Sequence, residues 1–448
     1  LQRGLFDDGP APDDPIDLEG LNDPQREAVL HGDGPLVVFA GAGSGKTRVI
    51  THRIAHLIAE RGVHPFRILA VTFTNKAAAE MRERLEKLVG HKVSTRGGIK
   101  SLQVGTFHST CARLLRKHAN DLGLDRGFSI YDDQDQRAMI KRVMTELNVN
   151  PKRIATKAIQ GAINHAKQEM VGPDDYVTEG DPFHEVIKRL YGTYEKHMRR
   201  ANALDFGDLI YRMALGLEEN TKLREELAGR FLHVLVDEFQ DTNHAQLRLV
   251  RAFASGHGNL VVVGDDDQSI YGWRGADRRN ILDFKQAYPQ AVVIKLEQNY
   301  RSSQRILRVA HAVIARNVDR EPKEMWTDNE LGEPVFVVRT EDERDGARVV
   351  VRGIEELSAK GDSLDEVAVF YRTHAQSRVL EEALRQRNVP YRVVGGVRFY
   401  DRAEVKDLLA YLRVLVNPED DVSVLRILNV PARGIGKTTA ERLLNHAS

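Results

Sequence analysis

Lys46 and Thr47 close a glycine-rich stretch, Ala40-Gly41-Ala42-Gly43-Ser44-Gly45-Lys46-Thr47, whose residue types suit a nucleotide phosphate. Small residues at Ala42, Gly43, Ser44 and Gly45 let the backbone wrap, so that its N–H groups point at phosphate oxygens. Lys46 would reach the β- and γ-phosphates, and the Thr47 hydroxyl would hold Mg²⁺. The strict pattern begins with Gly, and here the smallest substitute, Ala40, stands in its place. The plain alternative is a turn that caps a helix and binds nothing. An intact Gly45-Lys46-Thr47 after the apolar run Leu36-Val37-Val38-Phe39 argues against it.

A second chemical cluster lies 191 positions beyond Lys46. The apolar run of residues 231–236 ends in Asp237-Glu238-Phe239-Gln240-Asp241. Asp237 would bind Mg²⁺, and Glu238 would orient and deprotonate an attacking water. Gln268 could hydrogen-bond a γ-phosphate, Arg301 could act as an arginine finger, and Tyr300 could stack on a nucleobase. The Gln25 amide matches the N6/N7 edge of adenine, although taken alone a solvated helix Gln is the plainer reading. Tyr271, Trp273 and Arg274 sit in a glycine-rich loop and fit base stacking with backbone pairing. Core burial is the default for Trp; the flanking glycines and Arg274 favour exposure of Trp273.

These groups need a scaffold. Residues 36–39 read as a buried strand, and Ile50, Ile54, Leu57 and Ile58 recur at helical spacing after the loop. Asn22 or Asp23 can cap a helix, with Pro24 in its first turn. Strand patterns at residues 67–73, 102–106, 231–236, 260–263 and 292–296, separated by helical patterns, predict an α/β fold with a parallel sheet. In such a sheet the C-terminal strand ends line the ligand crevice, which places Thr72, Phe73, Asn75, Thr106 and His108 where something binds. For each one singly, a core aromatic or a helix cap reads as well.

From Cys111 to about Asn202 strand signals stop, and basic helical patterns suggest an inserted subdomain that follows a nucleic-acid backbone or forms a solvated surface. Residues 334–338, 367–371 and 391–396 begin a second α/β sheet, and residues 401–444 read as helical. Gly434-Ile435-Gly436-Lys437-Thr438 imitates a phosphate loop, but Pro431 and the lack of a preceding strand exclude that. Gly434 and Gly436 instead resemble a helix–hairpin–helix turn offering N–H groups to duplex phosphates, a plain helix-connecting turn reading nearly as well.

With 448 residues, several domains are expected. Hydrophobic content of 42% and charged content of 29% fit a soluble globular protein. No apolar run approaches the ~20 residues of a membrane span. Residues 1–20 carry six acidic side chains against Arg3 and read as a disordered acidic tail. The single cysteine, Cys111, excludes an internal disulfide and a cysteine-based metal cluster, and suits a cytoplasmic location. Zero formal net charge neither supports nor excludes a nucleic-acid partner.

Taken in order, Pro24-Gln25, residues 41–47, 72–81, 105–109, 237–241, 264–275 and 299–302 resemble the ordered motifs of superfamily 1 DNA helicases of the UvrD/PcrA/Rep family, UvrD the nearest. Ala375-Gln376-Ser377-Arg378 and Gly395-Gly396-Val397-Arg398-Phe399 resemble that family's second-domain segments. The resemblance implies two P-loop RecA-like motor domains with ATP in their cleft, each carrying a mainly helical insertion. It implies 3′ to 5′ translocation on single-stranded DNA, unwinding at a junction with duplex, and a role in DNA repair alongside repair proteins. Gln25 would read adenine between Arg48 and Tyr300. Lys46, Thr47, Asp237, Glu238, Gln268 and Arg301 would form the hydrolytic centre. Phe73, His108, Phe206, Tyr271, Trp273 and Arg274 would face DNA.

The expected layout is a first motor domain at residues 21–110 and 203–290, with a helical insertion at 111–202. A partial second motor domain follows at 291–393, and the start of a second insertion at 394–448. The family's last motifs would fall beyond Ser448, so the expectation is a truncated or cleaved form, or a second chain supplying the remainder. The rival reading is a regulatory fragment that holds nucleotide and DNA without hydrolysis. A metabolic P-loop kinase is disfavoured by the loop of residues 271–274 and by the long insertion.

Overall fold

The computed structural model describes residues 16–89, 101–394, 402–436, 438–440 and 442–443. Gly395-Gly396-Val397-Arg398-Phe399, residues 1–15 and Lys437 lie outside them. Two compact units result: Leu1–Gly332 with Ala410–Ser448, and Glu333–Leu409.

The first unit is built on a six-stranded, wholly parallel sheet. Its strands are β1 (Leu36–Ala40), β2 (Ile68–Thr72), β3 (Gln103–Thr106), β6 (His233–Val236), β7 (Leu260–Gly264) and β8 (Val292–Leu296), in the order β3-β2-β6-β7-β1-β8. β1, β2, β6 and β7 are buried along their whole length, as continuous Val/Leu/Ile runs in a parallel sheet require. α1 (Asp23–Leu30), α2 (Lys46–Ala59) and α3 (Asn75–Val89) cover one face, burying Val29, Ile50, Ile54, Met81 and Leu85 against Val38, Ala70 and Val263. α4 (Phe107–Lys117) packs on the other, with Cys111 fully buried in a core shared with Val37, Val71 and Val236.

α5 (Asp133–Glu146), α6 (Thr156–Gln168) and α7 (Pro182–Arg200) form a separate core around Tyr131, Ile140, Ile163, Tyr191 and Tyr194. The insertion is not strand-free. β4 (Ser129–Tyr131) pairs in parallel with β5 (Ala203–Asp205), a ribbon too short to leave a periodic signal. α8 (Phe206–Glu219), α9 (Thr221–Arg230) and α10 (His244–Ala254) return the chain to the motor core.

Three further differences from the expected layout appear. Residues 16–20 are not a free tail: Ile16 is buried beside Ala55, Ala59 and Val89, and its N–H donates to Glu60 at 3.0 Å. Apolar Ile16 and Leu18 outweigh the local charge. The end of the helix Ala403–Val416 and the residues after it pack on the first insertion. Asn417 donates to the carbonyls of Ala201 (2.9 Å) and Asn202 (3.0 Å), and Tyr131 donates to Asp420 (2.7 Å).

In the second unit, helices Glu343–Ala359 and Ser377–Gln386 bury Val351, Ile354 and Leu384 together. Residues 335–338, 367–371 and 391–394 form no ladder among the described residues. Phe336 (80%), Val337 (96%) and Phe370 (92%) are exposed. A strand exists only by pairing, and none of the described segments pairs with these.

Candidate functional site

Strands β6, β7 and β1 are consecutive in the sheet and parallel, so the segments following them emerge at one edge. After β1, the loop turns into α2 through Gly43 (φ +69°) and Gly45 (φ +90°), a left-handed backbone that favours glycine. Gly45 is the N-cap and brings no side chain, whereas Asn22, Thr106, Asp132 and Asp205 cap their own helices. The first-turn N–H groups of α2 thereby have no side-chain cap, an arrangement that suits an anion.

After β6, Lys46 Nζ pairs with Glu238 Oε2 at 3.2 Å, the lysine side chain being largely buried. Glu238 itself is left-handed (φ +51°, ψ +44°), a conformation that costs a non-glycine residue about 1 kcal/mol or more. It is held there by its N–H donating to Asp237 Oδ1 (3.0 Å) and by Gln240 Nε2 donating to its carboxylate (2.9 Å). Gln240 also accepts from the Asp265 N–H (2.9 Å), tying β6 to the segment after β7. A Cβ at Gly264 would fall 2.5 Å from Gln240 Oε1, so this approach requires glycine there.

Burial, reinforced by Glu238, pushes the Asp237 carboxyl up to about 7 despite the nearby Lys46. The same causes push Asp241 up to about 6, and Asp241 Oδ1 is buried without a hydrogen-bond partner. Three carboxylates thus share one lysine. A divalent cation held by Asp237 and the Thr47 hydroxyl would offset that excess, so the residues present fit Mg²⁺ with a nucleotide.

The folded-state pKa of Asp237 lies above its ordinary 3.8, so the folded chain keeps a proton that the unfolded chain loses. Stability from this group therefore falls as pH rises from about 4 to about 7. Asp237→Asn should gain on the parent by roughly 2–3 kcal/mol between pH 5 and pH 8. Urea titrations in metal-free buffer read the difference; identical pH profiles would exclude a raised Asp237.

Gln25 is fully buried. Its Oε1 accepts from the Asn22 N–H (3.2 Å) and its Nε2 donates to the Ser44 carbonyl (2.8 Å), so the amide buttresses the phosphate loop. Tyr300 is half-exposed; its N–H donates to the Gly43 carbonyl (3.0 Å) and its hydroxyl accepts from Asn22 (2.9 Å). Arg301 is exposed and its Cβ abuts Gly43. Arg48 Nη2 lies against Gly20. Gln268 donates to Asp265 Oδ2 at 2.6 Å.

Among the DNA candidates, Trp273 is 66% exposed, with the Arg274 guanidinium 4.6 Å from its ring centroid and 5.2 Å from that of Tyr271. His108 stacks edge-on against the half-exposed Phe206 at 5.6 Å, and burial lowers its pKa. The end of α6 joins these two places: Gln168 packs against Gly275, and Lys167 against Gly207. Thr72 is buried, and Thr106 is occupied as the α4 cap. Phe73 is part-buried on Phe107 (5.6 Å) and Asn75 is exposed. Gly434 (φ +72°) and Gly436 have open space around them.

Sequence reasoning assigned no role to Asn299, whose carboxamide accepts from the N–H groups of Arg301 (2.9 Å) and Ser302 (2.7 Å) and donates to the Ala42 carbonyl. It also missed Lys167, fully buried among Glu195, Asp205 and Asp208, each 2.8 Å away. The repeated Asp-x-x-Asp at Asp205 and Asp208 was the available signal.

A model of the UvrD/REP helicase N-terminal domain matches residues 21–289, and one of the UvrD-like helicase C-terminal domain matches residues 294–448. The chain belongs to the UvrD/REP helicase family. It is 46% identical over 431 residues to the ATP-dependent DNA helicase PcrA of Staphylococcus aureus, and 47% identical over 431 residues to that of Staphylococcus epidermidis. Each match covers 96% of this chain and 58% of the relative. The glycine-rich loop of residues 40–47 and the paired carboxylates stand at strand ends of one parallel sheet. Among the described residues no helix is long and apolar enough to cross a membrane.

Proposed function

We propose that the chain is the motor part of an ATP-dependent DNA helicase. It moves 3′ to 5′ along single-stranded DNA and opens duplex at a junction, in DNA repair within the cytoplasm. The observation that carries this reading is the meeting of Lys46 with Glu238 at 3.2 Å, beside buried Asp237, on the strand edge whose next loop presents Trp273. Lys46 and the first-turn N–H groups of α2 bind and orient the triphosphate. Glu238 accepts a proton from the attacking water, and Gln268 and Arg301 address the γ-phosphate. Asp237 and Thr47 would hold Mg²⁺, which would supply charge neutralisation for the triphosphate. Trp273, Tyr271 and Phe206 offer faces to bases, and Arg274 and the Gly434–Gly436 turn contact phosphates.

The testing experiment is ATP turnover by this chain with and without single-stranded DNA, followed by displacement of streptavidin from 3′- or 5′-biotinylated strands. Stimulation with faster displacement at the 5′ end is expected; turnover indifferent to DNA would sink the proposal. Trp273→Ala should weaken single-strand binding by roughly 1–3 kcal/mol, measured by fluorescence anisotropy. Unchanged affinity would remove Trp273 from the DNA track.

A second reading is a fragment that binds nucleotide and DNA without hydrolysis. Residues 335–338, exposed and without a ladder among the described residues, favour it, because the second domain's sheet then needs further strands, from this protein or another chain. ATP binding with no turnover in the same assay would select it.

A further inference from the structure

The loop after β7 carries Gln268 at one end and Trp273 at the other, and its first residues are held by a segment that no motif above includes. Lys323 is buried, and its Nζ lies 3.0 Å from Asp265 Oδ1 and 3.3 Å from Asp267 Oδ2, with Asp266 also in direct contact. Arg320 grips Asp267 through two bonds, Nε to Oδ1 at 2.8 Å and Nη2 to Oδ2 at 2.6 Å. The Glu321 N–H donates to Asp266 Oδ2 at 2.9 Å. Burial would lower the lysine's pKa, but the Asp265 and Asp266 carboxylates raise it, so it stays charged.

The same segment lies on the nucleotide loop. A Cβ at Gly41 would fall 2.1 Å from Met325 Sδ, and Lys323 Nζ sits 6.0 Å from the Phe39 ring centroid at the end of β1. The Trp326 carbonyl accepts from the Asn299 N–H at 2.7 Å, and Asn299 in turn bonds the Ala42 carbonyl. Asp265 is shared: one oxygen faces Lys323, and the other accepts from Gln268. A displacement of the phosphate loop therefore reaches Gln268 through three contacts, and the turn carrying Trp273 starts three residues after Gln268.

We propose that Lys323, assisted by Arg320, is a positioning residue that couples the phosphate loop to the DNA-facing aromatic loop by clamping Asp265, Asp266 and Asp267. This rests on the motor reading given above. The physical reason is that three consecutive carboxylates, two of them buried, repel one another and would spread the loop without a shared cation. With the cation present, the three carboxylates are held as one unit, so a shift on the nucleotide side is carried to the aromatic side.

The test compares the parent chain with Lys323→Gln, Lys323→Arg and Arg320→Gln. Amide hydrogen exchange of residues 265–275 is measured alongside that of α1 and α2, without ligand. Lys323→Gln should speed loop exchange at least tenfold and leave α1 and α2 unchanged. Affinity for a non-hydrolysable ATP analogue should stay within threefold, while stimulation of ATP turnover by oligothymidylate is lost. Lys323→Arg should restore part of that stimulation, because a cation remains. Arg320→Gln frees only Asp267 and should show a smaller effect of the same kind. Unchanged loop exchange in Lys323→Gln overturns the proposal, and so does retained stimulation. If Lys323→Gln does not fold, unchanged loop exchange in Arg320→Gln overturns it instead. A parent with no response to oligothymidylate defeats the motor reading alone, and loop exchange still decides the clamp.

Discussion

Lys46→Ala is expected to reduce ATP turnover at least about a hundredfold, the cost of losing one preorganised charge at a phosphate in a low-dielectric site. The effect is large because Lys46 has two partners. On the function proposed above its ammonium would face the β- and γ-phosphates, and it is 3.2 Å from Glu238. Removing it leaves Asp237, Glu238 and Asp241 with no cation among them, so the carboxyl of Asp237, already at about 7, rises further. Single-strand affinity should change little, since Trp273 and Phe206 are reached through other elements. The check is steady-state turnover beside anisotropy with labelled oligothymidylate. Retained turnover would remove the loop of residues 40–47 from hydrolysis.

Glu238→Gln is expected to lower turnover by about 10²–10⁴-fold, the usual contribution of a positioned general base, while nucleotide binding persists. Gln keeps the shape and can hold the left-handed backbone at equal cost, so the fold should survive. Loss of the Glu238 charge also removes the second cause that raises Asp237, whose pKa should drop toward the ordinary carboxylate range. The variant should therefore hold Mg²⁺ with less competition from protons below pH 7. Single-turnover rates and analogue affinity across pH 5.5 to 8 measure both effects. Equal loss of rate and affinity would make Glu238 a binding group and not a base.

Much of the first domain was legible along the chain. Continuous apolar runs at residues 36–39, 68–71 and 260–263 mark strands buried on both faces, as in a parallel sheet covered by helices. Gly43 and Gly45 are readable because φ above zero leaves few residue types acceptable, and Lys46 and Thr47 because they follow them in the spacing of a phosphate loop. Exposure of Trp273 followed from its glycine neighbours and Arg274. The β4–β5 ribbon was not legible, because three residues per strand carry no period. Nor was the docking of Asn417 on Ala201 and Asn202, a contact between residues more than 200 positions apart.

The order of residues determined the chemistry on offer: a phosphate loop, a carboxylate pair at a strand end, an aromatic loop, and the family to which they belong. Tertiary structure decided how those groups are held. Gln25, which on paper could face a base, donates to the Ser44 carbonyl. Glu238 is forced into a left-handed turn that no local pattern announces. Three adjacent aspartates, plain surface charge by composition, close around Lys323 more than fifty residues away. The reason is the same in each case. Local patterns report what a residue can do with its neighbours in sequence, whereas buried polar groups must find partners wherever the fold brings a donor within about 3 Å.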